Sequence, residues 1–423
     1  MKHSEILAAG ICGLLLAASA TGEERTVLRP AVMRSGPGAY YEAVTSVPEN
    51  SRVNTGEVKP AWINTVWKTE KGWLPDKAFQ KPKAGLDYGG VFEGEKGVVV
   101  SSVDIAAATK GMITTKFQDR YKVDFAVADQ LDGIRANIEL VQAIMTDLQK
   151  SSQEIPYSRL PRQSFKNNVI LRPDAETLLG RALVAHVATN GLSQPALVAY
   201  VNAVAAAVGA KTERYDLTYR VGVLREAGIN GFGLPGGYVL LSDGLLAQVQ
   251  DEAELACVLG HEMAHASLFH GLREFTKRGK QRRADSVFDE LDSISGGGSD
   301  DEIEADLDRL AKTSYLKVIG GRAREDELEA DLFGVAFAAS AGYDPNAMLD
   351  VLQRVSEKGT ETDVFRHHPS VRDRIAVLQA AIKKYDLGGS GKQRFADRFR
   401  MQMAAVTATS REQARRPVGP GNE

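Results

Sequence analysis

His261 and His265 stand four residues apart, with Glu262 directly after the first, in the run Gly260-His261-Glu262-Met263-Ala264-His265. Residues i and i+4 share one face of a helix, so both imidazoles can reach a single metal ion. A carboxylate beside the first ligand stands where it can take a proton from a water that the metal activates. These residue types at this spacing predict a zinc hydrolase. The segment that must hold them suits the task. Ala253 to Leu259 lacks glycine and proline, Asp251 and Glu254 read as a capping box, and Ala253, Leu255, Val258, Leu259 and Met263 supply a broad apolar surface. A buried, rigid helix is expected, as ligands that must stay in place require.

Catalytic zinc takes three protein ligands and keeps a position for water, so a third ligand has to come from elsewhere. Two downstream segments have similar form, Glu302-Ile303-Glu304-Ala305-Asp306 and Glu327-Leu328-Glu329-Ala330-Asp331. In the first, Ile303, Leu307 and Leu310 give only the narrow stripe of a surface helix. The second runs into Leu332 to Ala339, apolar nearly all round and therefore buried. Glu327 is the expected third ligand. Asp331, one turn further, is expected to accept a hydrogen bond from His261 or His265. The competing reading pairs Glu327 and Asp331 with Arg322 or Arg324 as ordinary surface carboxylates.

A chain of 423 residues with 43% hydrophobic content is long enough for two or three domains. Its net charge of -3 gives no reason to expect a nucleic-acid partner. Residues 1–20 read as a signal peptide: Lys2 opens it, Ile6 to Ala18 is apolar, and Ala18-Ser19-Ala20 fits the cleavage rule. That run is short for a membrane span and no later one is longer, so no integral membrane segment is expected in the mature chain. Export is the expectation, to a periplasm first and to the medium second. Removing the signal would leave Cys257 as the one cysteine, with no intrachain disulfide.

Residues 26–82 alternate short β-rich runs with turns, and all three tryptophans, Trp62, Trp67 and Trp73, lie there. Met33-Arg34-Ser35-Gly36-Pro37-Gly38 resembles the "VRSGPG" turn of the bacterial SH3-like family, and Gly72-Trp73-Leu74 its closing "GWV". The resemblance implies a small all-β barrel that binds a cell-wall or protein ligand. Residues 83–165 read as a linker and helical region, with one long amphipathic helix over Asp129 to Lys150. Residues 166–385 are helix-rich, interrupted by β-type runs at Leu217 to Leu224 and Tyr238 to Leu241. Arg273 to Ser299 is a charged excursion, read as either disordered or a lid over the cleft, and residues 386–423 read as a C-terminal helix and disordered tail.

Three motifs in this order are similar to the M48 family of zinc metallopeptidases, which includes the prenyl-protein endopeptidase and HtpX groups. Asn230 to Gly237 resembles "NAFALPGG", Leu255 to His265 "LAxVLGHExxH", and Glu327 to Asp331 "ExxAD". The resemblance implies a gluzincin fold, α+β and mainly helical, with a small sheet above the cleft. It also implies one zinc per chain held by His261, His265 and Glu327, with Glu262 as catalytic base. Gly231 and Gly233 stand where the family usually has alanines, which would loosen the strand bordering the cleft. His367-His368-Pro369 and Arg374-Ile375 are similar to a late "HPxxxxRI" element. His368 is accordingly a candidate fourth ligand or oxyanion donor, and Arg374 a partner of Asp331. The alternative has His367 and His368 cap a helix starting near Pro369. His270 reads as a packing or surface residue.

These readings describe a multidomain, exported zinc endopeptidase hydrolysing unfolded or misassembled proteins. Its polypeptide substrate would add a strand along Asn230, Phe232, Leu234 and Gly236. The alternative is a zinc-bound, chaperone-like binding protein whose site is silenced.

Overall fold

The computed structural model describes residues 22–80, 125–162, 173–193, 195–270, 324–357 and 369–404. The expected signal peptide, the charged excursion with the acidic segment 302–306, His367 and His368, and the tail from residue 405 lie outside these. The chain divides into two compact units, one made of Met1–Pro37 with Val44–Gln80 and the other of Gly38–Ala43 with Lys81–Glu423.

The first unit is a six-stranded sheet in the order β1-β4-β5-β6-β2-β3. The strands are β1 Glu24–Thr26, β2 Ala31–Arg34, β3 Ala43–Val47, β4 Arg52–Lys59, β5 Trp62–Trp67 and β6 Glu70–Pro75. The β4–β5, β5–β6 and β2–β6 pairs are antiparallel. The two quoted motifs meet here, because Arg34 pairs with Trp73 across β2 and β6. A Cβ on Gly72 would come within 2.5 Å of the Arg34 carbonyl oxygen, so this crossing needs a glycine. A closed barrel was expected, and the sheet differs. Among the described residues no pairing joins the outer strands β1 and β3, so the sheet is open. Its core is mainly aliphatic, with Val27, Met33, Val53, Ile63 and Leu74 buried alongside Phe79.

In the second unit, α1 Phe125–Gly133 and α2 Ile138–Leu148 replace the one long helix expected over Asp129 to Lys150. The break has a local cause. Gly133 ends α1, and the Asn137 side chain accepts a hydrogen bond from the Leu140 N–H at 3.0 Å, starting a new helix. Neither helix is a spacer. Val141, Ile144 and Leu148 enter the main core, and Val127, Ala128 and Leu131 enter a second cluster.

Next come α3 Pro173–Val187, α4 Pro195–Gly209, β7 Arg220–Leu224, β8 Gly231–Leu234 and β9 Tyr238–Ser242. They are followed by the one-turn α5 Asp243–Leu246, then α6 Glu252–Ser267, α7 Arg324–Ala341, α8 Ala347–Glu357 and α9 Val371–Lys384. β9 lies between β7, parallel to it, and β8, antiparallel to it. Both faces of β9 are covered, which explains its unbroken apolar sequence. Val239 and Leu241 face the main core, while Tyr238 and Leu240 face the second cluster. Among the described residues no helix is long and apolar enough to cross a membrane.

Helix α6 is the centre of the unit, and every residue from Glu252 to Ser267 is buried. Its start is doubly secured. Asp251 accepts from the Glu254 N–H at 2.8 Å, while Glu254 reaches back to the Gln250 N–H at 2.7 Å and binds Arg354 at 2.8 Å. Glu252, fully buried, accepts from the hydroxyls of Tyr200 and Tyr343, each at 2.7 Å, and from Arg398 at 2.5 and 2.6 Å. Arg398 belongs to a helix over 396–404, so the end of the described chain ties directly to the start of the site helix.

Burial lowers the His186 pKa to about 4, against 6.5 for the free side chain. Between these values the unfolded chain binds more protons than the folded one, so stability falls as pH drops from 6.5 toward 4. Urea midpoints at pH 7 and pH 4.5 check this. His186→Leu should reduce the difference between them by the equivalent of about 1–3 kcal/mol, and an unchanged difference would refute the assignment.

Candidate metal centre

Two helices and one strand build the site. α6 carries His261, Glu262 and His265, and α7 crosses it with Glu327 and Asp331 facing inward. The crossing is close because both helices have a glycine there. A Cβ on Gly260 would lie 2.4 Å from the Gly334 carbonyl oxygen, and one on Gly334 would lie 2.5 Å from the His261 nitrogen. β8 packs against the same stretch of α6. A Cβ on Gly233 would be 1.9 Å from the Glu262 carbonyl oxygen, and one on Gly231 would be 2.5 Å from Glu262 Oε1. The two glycines therefore do not loosen the strand. They let it press against the helix more closely than alanine allows.

The Nε2 atoms of His261 and His265 are 3.1 Å apart. Glu327 faces both, with Oε2 3.5 Å from the first and Oε1 3.5 Å from the second. Four ligands about 2.0–2.1 Å from zinc at tetrahedral corners would sit roughly 3.3–3.5 Å from one another, so this triangle fits such an ion. The remaining nitrogen of His261 is already engaged, since its Nδ1 lies 3.0 Å from Asp331 Oδ1. Asp331 in turn takes two hydrogen bonds from Arg374 of α9, from Nε at 2.8 Å and Nη2 at 2.6 Å. An Nδ1 proton held by Asp331 leaves the Nε2 lone pair of His261 pointing toward Glu327 and His265.

The electrostatics favour positive charge at this point. Burial alone would lower the His261 pKa, but the hydrogen bonds to Asp331 and Glu327 and the charges of Asp331 and Glu262 outweigh it and raise it to about 9. Burial alone would raise the Asp331 carboxyl, yet Arg374 and His261 together hold it below the usual carboxylate range. A buried pocket that draws a proton this strongly is equally disposed to a metal cation.

His261, His265 and Glu327 thus come together, with Glu262 on the same helix and Asp331 and Arg374 behind them. The rival pairing of Asp331 with Arg324 is not what the structure shows: Asp331 is held by Arg374, and Arg324 bonds Asp373 at 2.7 Å, while Arg322 lies outside the described residues. Helix α9 starts at Val371 with Ser370 as its cap, its hydroxyl accepting from the Asp373 N–H at 3.1 Å, so neither histidine before Pro369 is needed to cap it. His368 lies outside the described residues.

The expected substrate edge is shorter than the sequence suggested. β8 is an outer strand and Phe232 is half-buried on it. Leu234 is a core residue, and the Asn230 amide is held by Glu226 at 2.5 Å. Gly236 is not part of the edge. It turns with φ 75, and its N–H goes to buried Glu176 at 3.2 Å. His270, read as packing or surface, is instead buried against the site, with Nδ1 2.9 Å from His265 Nδ1 and Nε2 3.2 Å from Glu329 Oε2.

Two buried histidines and a glutamate converge on one point, with a second glutamate adjoining, an arrangement suited to the class of metal-dependent hydrolases. Comparison with known proteins narrows the class. Residues 192–382 match the model of Peptidase family M48. The chain is 27% identical over 223 residues to a putative beta-barrel assembly-enhancing protease of Vibrio cholerae, covering 50% of this chain and 45% of that protein. It is 29% identical over 167 residues to the mitochondrial metalloendopeptidase OMA1 of Arabidopsis thaliana, covering 39% of this chain and 32% of the relative. With the Bos taurus OMA1 metalloendopeptidase the identity is 30% over 108 residues, 26% of this chain and 17% of the relative. The chain therefore spans less than half of each of these relatives.

Proposed function

We propose that the chain is an exported zinc endopeptidase that hydrolyses unfolded or misassembled polypeptides. The observation that carries this reading is the triangle of His261, His265 and Glu327 with Glu262 one residue from the first ligand. His261 and His265 would hold zinc through Nε2 and Glu327 through its carboxylate. Zinc, when bound, supplies Lewis acidity toward the water and the scissile carbonyl. Glu262 takes the proton of the attacking water and returns it to the leaving amine as the C–N bond breaks. Asp331 and Arg374 hold His261 in the tautomer that leaves Nε2 able to bind. An extended substrate backbone is accommodated along β8, where Gly231 and Gly233 present no side chain toward Glu262. Backbone pairing asks little of sequence, which suits unfolded clients, and similarity to a relative named as a beta-barrel assembly-enhancing protease is compatible with that class of client.

The experiment starts from the full chain expressed with residues 1–20 intact. Protein recovered from a periplasmic fraction and beginning near Thr21 is the expected outcome for export, and recovery of the uncleaved chain from the cytoplasm would remove that part of the reading. Stripping the metal with a chelator should end casein cleavage, and one equivalent of zinc should restore it. Glu327→Gln should lower zinc affinity by at least about tenfold, as expected when even a supporting contact to a metal site is lost. Cleavage that persists in metal-free protein would defeat the proposal.

A further inference from the structure

The contacts behind His265 have no counterpart in the reaction just described. His265 and His270 face each other through their Nδ1 atoms at 2.9 Å, with ring planes at 75°. Glu329 closes the chain on the far side of His270, 3.2 Å from Nε2. His265, His270 and Glu329 are all buried. Asp326, three residues before Glu329 and on the same face of α7, completes a group with His270 and Glu329 whose donor atoms lie within 4.8 Å of one another.

That second group has metal-ligand chemistry of its own, and counting protons decides between two uses for it. A contact between two Nδ1 atoms at hydrogen-bond distance needs one proton between them. If His265 binds zinc through Nε2, its ring proton must sit on Nδ1, which then donates to His270. His270 accepts at Nδ1, so its own proton sits on Nε2 and is donated to Glu329. Every bond in the chain then has one direction. A cation on His270 Nε2 would need that nitrogen bare. The two rings would be left sharing a single proton, and one of them would have to become imidazolate. A cation on His265 therefore disfavours a second one beside His270.

We propose that His270 and Glu329 are positioning residues that fix the tautomer and orientation of His265. The proposal rests on the metallopeptidase reading, because it assigns His265 Nε2 to zinc. It also gives the two histidine ligands unequal support. His261 Nδ1 directly faces, at 3.0 Å, a carboxylate pinned by Arg374, whereas the Nδ1 of His265 faces the His270 ring, which in turn faces Glu329.

The test uses metal-free full chain and zinc titration against a chromophoric chelator. Wild type should bind one zinc. His270→Leu and Glu329→Leu should each weaken zinc binding about 10–100-fold, the range typical of lost supporting contacts. His270→Asn can place an amide oxygen near the lost Nδ1 and should recover most of the affinity, which a loss of packing alone would not predict. Nitrogen-15 NMR of the zinc-loaded wild type, which needs no variant to fold, should find the His270 proton on Nε2. A proton on His270 Nδ1, two zinc ions per chain, or unchanged affinity in His270→Leu would overturn the relay. Wild type that binds no zinc would instead sink the metallopeptidase reading on which it stands.

Discussion

Glu262→Gln should keep one zinc per chain and reduce casein hydrolysis by about 10²–10⁴-fold, the usual contribution of a positioned general base. The substitution suits this site because the side chain is confined. Glu262 is buried, and Oε1 lies so close to Gly231 that a Cβ there would be 2.5 Å away. Glutamine has nearly the same shape and fits the same space, but its amide cannot accept the proton of the attacking water. Glu262 is also not one of the three groups around the cation, so zinc content separates a lost base from a lost metal. The comparison is made by metal analysis and by casein assays on both proteins purified in parallel. Undiminished cleavage by metal-loaded Glu262→Gln would exclude Glu262 as the base.

The metal-binding cluster was legible in the sequence because helical periodicity encodes it. His261 and His265 needed only the i, i+4 rule, and Glu327 was favoured over its near copy by the apolar run that follows it. Asp331 followed from the same rule, one turn from Glu327. His270 was not legible for a specific reason. It lies beyond the end of α6 at Ser267, and the chain returns to the site only because Phe269 adopts a left-handed φ of 58. No repeat in the sequence signals a single non-glycine residue in that conformation. Glu329 sat in a segment already marked for chemistry, but without His270 it had nothing to act on.

The fold was legible to a similar depth. The short apolar run of β9 and the cap of α6 are local and could be read directly, while the break between α1 and α2 was concealed because apolar spacing continues across it. Gly133 and Asn137 mark that break, and weighing them as a stop and a start would have found it. Whether a strand-rich segment closes into a barrel depends on pairing between its outermost strands, here β1 and β3, which no hairpin joins. Glycine reads ambiguously for the same reason. Gly231 and Gly233 look like loosening substitutions until the proximity of α6 is known.

Gly334→Ala should leave the helix intact and yet cut both zinc affinity and peptidase activity, activity by about 10²-fold. The three nearest atoms that the new Cβ would meet are all backbone: His261 N at 2.5 Å, His261 Cα at 2.7 Å and Gly260 C at 2.8 Å. No side chain can rotate out of the way. Reaching ordinary contact from 2.5 Å requires α6 and α7 to separate by about 1 Å, since ordinary contact begins near 3.4 Å. The two histidines lie on one helix and Glu327 on the other, so the displacement falls directly on the ligand triangle. A metal site tolerates only about 0.2 Å in its ligand distances. Stability is the less sensitive readout, because overpacking at about 1–3 kcal/mol is partly offset by the roughly 1 kcal/mol that alanine contributes over glycine in a helix. Gly133→Ala is the control: nothing lies within 4 Å of its Cβ position, and zinc binding should not change. Chelator competition on the three proteins decides the matter, and wild-type affinity in Gly334→Ala would mean that this crossing does not set the metal geometry.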